Sequence, residues 1–366
     1  MAPFAERDGD IANAWMEGLG NVVVPREPLL PLSHSVNSKL TTLCPRLDAW
    51  LRGGVPTRSV TEIAGEAGSA KTQLALQLLI AAQLPREMGG LDGAAVYVHT
   101  EGRAPLTRLK QLVASHPAVA AFVEAKKKSE GADFDLMRGV YVAETLDDPD
   151  GLWTALVSVA SVLRETPRDD GRAKKKRVRL LVVDSVSSPF REEDASRANG
   201  AFSRARVLGR VAALLREYAH RHDIAVVVTN HVVDAFGNSE DNARSDTTTT
   251  LSSCGPLLKK QNVFGPAGVV SSSGRDVAPA LGLFWANCVN TRLFLRRSGG
   301  SAGGVGGGEG VGGGGVVGGV TREACVVFSS HLPHCRDAEE GGAPIPFVVR
   351  KEGVFGLPSS GVSADE

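Results

Sequence analysis

The chain has 366 residues, 42% of them apolar, and its 41 lysines and arginines balance 41 aspartates and glutamates. That length and apolar content suit one large α/β domain with appendages, while zero net charge excludes a global basic field, so any nucleic-acid contact must be local. No apolar run reaches the roughly 18 residues of a membrane helix and no signal peptide is present, and five scattered cysteines point to reduced thiols in an intracellular compartment.

Residues 1–39 lack periodicity, and Pro25, Pro28 and Pro31 predict an extended arm. Residues 40–55 read as a short helix leading into a core that runs to residue 357, with 358–366 as a tail. An apolar strand, Val60 to Ala64, then enters Gly65-Glu66-Ala67-Gly68-Ser69-Ala70-Lys71-Thr72, and a helix-like run from Gln73 to Ile80 follows. Strand, glycine-containing loop, Lys-Thr and helix is the layout of a P-loop. Its backbone N–H groups and the helix N-terminus hold phosphate oxygens. Lys71 would neutralise the β- and γ-phosphates of ATP, and the Thr72 hydroxyl would ligate Mg²⁺. The usual loop has glycine before the lysine, and here Ala70 stands instead. If that position needs φ > 0, alanine costs about 1–2 kcal/mol; if it does not, the methyl group only crowds the loop.

Ala95 to Glu101 is a second apolar strand ending in an acid, and a glutamate beside the γ-phosphate can orient or deprotonate the attacking water. Leu152 to Leu163 and Val207 to His220 have helical periodicity. Arg179 to Asp184 is a buried-strand pattern that delivers a carboxylate to the sheet edge where Mg²⁺ would sit. The strand from Ile224 ends in Asn230 and His231, either of which could sense the γ-phosphate. Strand–helix–strand alternation means a mostly parallel sheet covered by helices on both faces. The basic run Lys174 to Arg179 reads as a nuclear localisation signal, as a solvated loop before the strand, or as a DNA contact. Two loops at the sheet edge are candidate DNA contacts: Ser187 to Ser203, with Arg191, Arg197 and Arg204, and Asp234 to Val277, with Arg244, Lys259, Lys260 and Arg275. Their cations would pair phosphates, and an aromatic such as Phe264 would support bases. Residues 298–319 are almost wholly glycine and read as a flexible insertion between strands near 292–297 and 323–329. Cys325, His331, His334 and Cys335 match no zinc spacing.

Several of these blocks, in order, resemble the RecA-like recombinase family and in particular its eukaryotic paralogues. They are Leu43 to Gly54, Thr61 to Leu78, Tyr97 to Gly102, Leu180 to Ser185, Val226 to Val233, Pro279 to Asn287 and Thr291 to Leu293. The resemblance covers roughly residues 40–357 and implies a RecA-like P-loop ATPase core. It makes Glu101 the catalytic glutamate and Arg108 the residue that stacks on adenine. His231 falls where strand-exchange members carry a glutamine that couples nucleotide state to a DNA loop, and Phe328 where they carry an ATP-cap aspartate. Both departures, with Ala70, imply slow, DNA-dependent ATP hydrolysis at most. The two candidate loops fall where the family's DNA-binding loops lie. Phe122 to Ala125 and Phe264 to Ala267 match the family's Phe-x-x-Ala polymerisation pattern, but both lie within the core and read as chance. The family's helical N-terminal domain is largely absent from this chain.

The resemblance further implies repair of DNA double-strand breaks by homologous recombination in the nucleus, cytoplasm being the alternative. The partners would be another recombinase paralogue in a heterodimer, the main recombinase, and single-stranded or branched DNA, with no membrane. The rival reading is a scaffold that keeps the fold and organises repair partners without significant hydrolysis. A P-loop kinase or helicase is a third class; the acceptor-site lid of the one and the further basic motor motifs of the other are not evident.

Overall fold

A computed structural model of the protein describes residues 38–145, 148–164, 176–191, 200–235, 270–297, 321–334 and 342–358. The N-terminal arm to residue 37, the glycine-rich insertion, most of the second candidate loop and most of the C-terminal tail lie outside these residues, as do Arg197, Lys259 and Lys260.

The runs of Val, Ile, Leu and Ala that the sequence brings to residues 59–65, 94–99, 178–184 and 225–230 become the strands β3 (Ser59–Gly65), β4 (Ala94–His99), β6 (Val178–Asp184) and β7 (Ala225–Asn230), every residue of them buried. Strands flanked on both faces need no polar alternation, which is why each reads as an unbroken apolar run. They lie parallel in a nine-stranded sheet of order β14-β13-β12-β11-β3-β7-β6-β4-β5. β5 (Val140–Glu144) and β11 (Thr291–Arg297) extend the parallel part. β12 (Arg322–Ser329), β13 (Ile345–Val349) and β14 (Val354–Gly356) complete it as an antiparallel flank. This architecture is the expected α/β RecA-like core.

Alternate residues of each central strand feed two cores. Ile63, Tyr97, Leu180, Val182 and Val227 pack on one face with the helix Lys71–Ala81 and with Leu109, Leu112 and Val119 of the helices Leu106–Ser115 and Pro117–Glu130. Val60, Val96, Val98, Leu181, Val183 and Val228 pack on the other with the helices Pro149–Arg164 and Gly200–His222 and with Trp285. The helix after the P-loop is buried nearly all round, as a central helix beneath a sheet must be.

The fold differs from the sequence expectations in three places. The helix expected over 40–55 spans only Pro45–Trp50 and is flanked by a two-stranded ribbon, β1 (Lys39–Leu40) with β2 (Val55–Pro56). Gly54, at φ +108°, passes so close to the Leu40 carbonyl that a Cβ there would collide with it. The second candidate loop is structured at both ends. β8 (Val232–Asp234), β9 (Val270–Ser272) and β10 (Arg275–Pro279) form a small antiparallel sheet in the order β8-β10-β9. Val270 and Val277 bury against Ala64, Phe294 and Val327. The last helix before β7 begins at Gly200, inside the first candidate loop, rather than near residue 207.

The described part of the basic run, residues 176–179, is tied into the strand edge. Lys176 pairs with Asp92 at 2.6 Å, Arg177 donates to the His222 carbonyl at 3.1 Å, and Arg179 pairs with Asp223 at 2.8 Å. Phe122 packs edge-on against Phe134 within the domain, and Phe264 lies outside the described residues. Cys325 is buried inside β12, and among the described residues no group of three His, Cys, Asp or Glu side chains is placed to hold a metal. Among the same residues no helix is long and apolar enough to cross a membrane.

Candidate nucleotide-binding site

The C-terminal ends of β3, β4, β6 and β7 meet at one edge of the sheet, the place where parallel α/β folds present their functional groups. A cavity of about 590 Å³ opens there, lined by Ala67, Gly68, Ala70, Lys71, Thr72 and Gln73 from the P-loop and its helix, by Glu101, Asp184 and His231 from strand ends, and by Arg108, Arg322, Val349, Arg350 and Lys351. The expected Lys71, Thr72, Asp184, Glu101, His231 and Arg108 therefore converge on one cavity although 160 positions separate Lys71 from His231 in the chain (231 − 71).

The loop's geometry answers the question Ala70 raised. Ala70 sits at φ 86°, ψ 18°, in the left-handed region, immediately before the helix. The position needs positive φ, so the alanine is strained by about 1–2 kcal/mol relative to glycine. No side chain caps the helix beneath it, so its first N–H groups are available to an anion. Gly65 is required on other grounds, because a Cβ there would run into the Leu295 carbonyl of β11 and the Ser69 hydroxyl. Ser69 is itself fully buried.

Lys71 donates from Nζ to the carbonyls of Gly65 and Glu66 at 2.8 and 2.9 Å. Burial lowers its pKa to about 8, against the opposing pull of Asp184 and Glu101. Asp184 is buried and accepts hydrogen bonds from the hydroxyls of Tyr97, at 3.0 Å, and Thr229. A hydroxyl at Thr72 and a carboxylate at Asp184, both on the cavity, are hard oxygen donors of the kind Mg²⁺ takes beside phosphate oxygens, so the residues fit that ion.

One carboxylate oxygen of Glu101 gathers three donors: His231 Nε2 at 2.5 Å, Ser185 Oγ at 3.0 Å and Arg191 Nη2 at 3.3 Å. The His231 hydrogen bond is the largest influence, and with Ser185 and Arg191 it overcomes partial burial and brings the Glu101 pKa down to about 2. Glu101 is thus held as an anion that can orient water by accepting its hydrogen bond, while so low a pKa makes it a weak base. Asn230, the other sensor candidate, points away. Strand alternation turns it inward, where its amide donates to Glu62 at 2.6 Å.

Arg108 donates to Gln73 at 2.8 Å and to the carbonyls of Lys351 and Arg350 at 2.9 and 2.7 Å. It thereby fixes the turn between β13 and β14 as the far wall of the cavity. The Glu66 side chain turns out of the loop into the β9–β10 turn, accepting from Ser272, from Ser273 at 2.9 Å and from Arg275 at 3.4 Å. Burial pushes this carboxyl up, but those donors together hold it below the usual range. Arg275, a candidate DNA contact, also pairs with Asp234 at 3.1 Å, so it braces the small sheet against the P-loop. Arg204, another, donates to the Ala280 carbonyl at 3.2 Å with its guanidinium over the Phe190 ring. Phe328 faces the Arg292 guanidinium rather than the cavity lining.

Arg322, Arg350 and Lys351 were not foreseen. They enter through the strand order at the antiparallel end of the sheet, and no local motif marks them. With them the lining carries five cationic side chains, Lys71, Arg108, Arg322, Arg350 and Lys351, against the two acids Glu101 and Asp184.

A mostly parallel sheet core, with this glycine-containing loop after β3, an acid after β4 and another at the end of β6, is a RecA-like architecture. Comparison with known proteins makes this specific. The Rad51 family model matches residues 34–121 and 168–253, and the chain belongs to the Rad51 family. It is 32% identical to the DNA repair protein XRCC3 homolog of Arabidopsis thaliana over 87% of this chain and 93% of that protein. It is 30% identical to the DNA repair protein XRCC3 of Bos taurus over 89% of this chain and 77% of that one. With the DNA repair protein rhp57 of Schizosaccharomyces pombe it shares 31% identity over 75% and 74% of the two chains. The similarity is thus to XRCC3-like paralogues across most of the sequence.

Proposed function

We propose that this chain is an ATP- and Mg²⁺-binding recombinase paralogue acting in the nucleus in homologous recombination repair of DNA double-strand breaks. Its relatives are DNA repair proteins by name. The observation that carries the reading is the convergence of Lys71, Thr72, Asp184 and Glu101 on one cationic cavity beside an uncapped helix N-terminus. Thr72 and Asp184 would hold Mg²⁺, which would supply neutralisation of the phosphate charge. Lys71 would move from the Gly65 and Glu66 carbonyls to phosphate oxygens. Glu101 would orient water, and His231, hydrogen-bonded to it, would register whether that water or a phosphate is present. Arg108 would stack on or edge the base where it braces the 350–351 turn. Nucleotide in this site would order the surfaces that meet another paralogue, the main recombinase and single-stranded or branched DNA.

Turnover is slow in this reading. Ala70 strains the loop, and three donors hold Glu101. The same two observations favour, as a second reading, a nucleotide-gated scaffold that binds ATP without significant hydrolysis. The deciding experiment is Mg²⁺-dependent binding of a labelled ATP analogue to the purified chain, alone and with a paralogue partner, beside Lys71→Ala. Binding that disappears in the variant supports the proposal. Absence of binding in both settings overturns it and leaves a scaffold without nucleotide.

A further inference from the structure

Asp184 and Glu101 both line the cavity, and a buried chain of hydrogen bonds through Tyr97 and His99 joins them as well. Strand alternation puts those two side chains on one face of β4, with ring centroids 5.4 Å apart. Both are buried, Tyr97 completely. The Tyr97 hydroxyl donates to Asp184 Oδ2 at 3.0 Å and lies 3.1 Å from His99 Nδ1. His99 Nε2 lies 3.1 Å from the main-chain carbonyl of Glu101. A carbonyl only accepts, so Nε2 carries the proton there, and Nδ1 of a neutral imidazole is then an acceptor. One hydroxyl proton therefore stands between two acceptors, the Asp184 carboxylate and the His99 ring. Burial and the Asp184 charge both push the Tyr97 pKa up, so the hydroxyl keeps that proton. The other Asp184 oxygen accepts from Thr229.

We infer that Tyr97 and His99 are positioning residues, which orient the Asp184 carboxylate toward Mg²⁺ and carry its state to the backbone of Glu101. This inference rests on the nucleotide-binding reading above. While Asp184 is free of a cation, its charge-assisted bond is the stronger one and holds the hydroxyl proton. When Asp184 shares its lone pairs with a cation, its pull on that proton weakens, and the Tyr97 O–H turns toward His99 Nδ1. The proton stays on Tyr97 throughout. His99, engaged at both nitrogens, then fixes the Glu101 carbonyl, and with it the carboxylate that orients water. Hydrogen-bond partners standing behind a metal ligand in this way typically account for about 10–100-fold in metal affinity.

The test is a Mg²⁺ titration of labelled ATP analogue binding to the full chain, for wild type, Tyr97→Phe and His99→Gln. It is read beside ¹⁵N spectra of the histidine side chains at saturating analogue, with and without Mg²⁺, in which His99→Gln identifies the His99 signals. Phenylalanine keeps the buried ring and removes only the hydroxyl. Glutamine keeps an amide donor for the Glu101 carbonyl and takes away the Nδ1 acceptor. Expected in Tyr97→Phe is a Mg²⁺ midpoint raised about tenfold or more, with analogue affinity at saturating Mg²⁺ within about threefold of wild type. The His99 Nδ1 signal is expected to move on Mg²⁺ addition in wild type and to stay still in Tyr97→Phe. Equal loss of analogue affinity at every Mg²⁺ concentration would reduce Tyr97 to a packing residue and overturn the inference. A His99 signal indifferent to Mg²⁺ in wild type would overturn the link to Glu101. If Tyr97→Phe does not fold, His99→Gln decides: a Mg²⁺ midpoint raised about threefold or more supports the inference, and an unchanged one overturns it. Analogue binding with the same Mg²⁺ midpoint in all three chains overturns this inference alone; no analogue binding by wild type overturns it together with the function proposed above.

Discussion

At position 70 a methyl group occupies a backbone conformation that favours glycine. Ala70 holds φ 86° as the residue that launches the P-loop helix. The surroundings over-determine that conformation: Lys71 is fastened to the Gly65 and Glu66 carbonyls, Ser69 is buried beneath the loop, and Arg322 grips Gly68. Replacing Ala70 by glycine removes about 1–2 kcal/mol of left-handed strain and gives back about 0.4–1 kcal/mol through the freer unfolded chain. Ala70→Gly is therefore expected to stabilise the protein by roughly 0.5–1 kcal/mol, read as a higher urea midpoint at unchanged m-value. A lower midpoint would mean that the methyl group contributes packing that outweighs the strain.

At the scale of elements, legibility followed burial. β3, β4, β6 and β7 could be read because each is an unbroken apolar run ending in polar residues, and those polar ends are the site. β5 escaped notice because it is an edge strand in which only partial burial selects Val140, Tyr141 and Ala143. β9 and β10 were hidden in a stretch rich in Ser, Thr and Gly, where two buried valines decide the fold. Asn230 and His231 are neighbours of equal promise in sequence; alternation along the strand sends one to the core and the other to the cavity. Glu101 shows what such placement achieves, since it links the ends of β4, β6 and β7 through Ser185, Arg191 and His231. Its folded pKa of about 2 lies below the ordinary 4.5. A depressed carboxyl pKa contributes stability that is full above about 4.5 and is lost as pH falls through about 2. The destabilisation caused by His231→Ala is accordingly expected to be largest above pH 4.5 and to close as the pH drops toward 2, measured by denaturant unfolding at a series of pH values. A difference that stays constant across that window would show that the histidine acts through packing and not through the Glu101 charge.

Across the whole molecule, one buried ion pair joins the two halves of the sheet that build the cavity. Glu62 of β3 and Arg292 of β11 stand directly opposite each other, wholly buried, with 2.5 Å between Oε2 and Nε. Asn230 of β7 donates to the other Glu62 oxygen, and the Arg292 guanidinium lies over the Phe328 ring. β3 carries the P-loop, whereas β11 leads to the antiparallel flank that supplies Arg322, Arg350 and Lys351. The charges read in sequence as ordinary strand polar residues, because nothing local announces that Glu62 and Arg292, 230 positions apart, will meet. Removing one partner strands a buried charge and typically costs about 3–5 kcal/mol, a large part of the roughly 5–15 kcal/mol that holds a domain together. Glu62→Leu is expected to lose that much in urea unfolding and, because the register of β3 against β11 sets the cavity's two walls, to weaken binding of the labelled ATP analogue as well. In Glu62→Leu/Arg292→Leu most of the stability returns, less about 1–3 kcal/mol for the Asn230 amide left without its acceptor. A double variant as unstable as the single one would mean that the charges specify the strand register and are more than a mutually cancelling pair; a single variant within about 1 kcal/mol of wild type would mean that water reaches this junction and that the two halves of the site are joined by backbone alone.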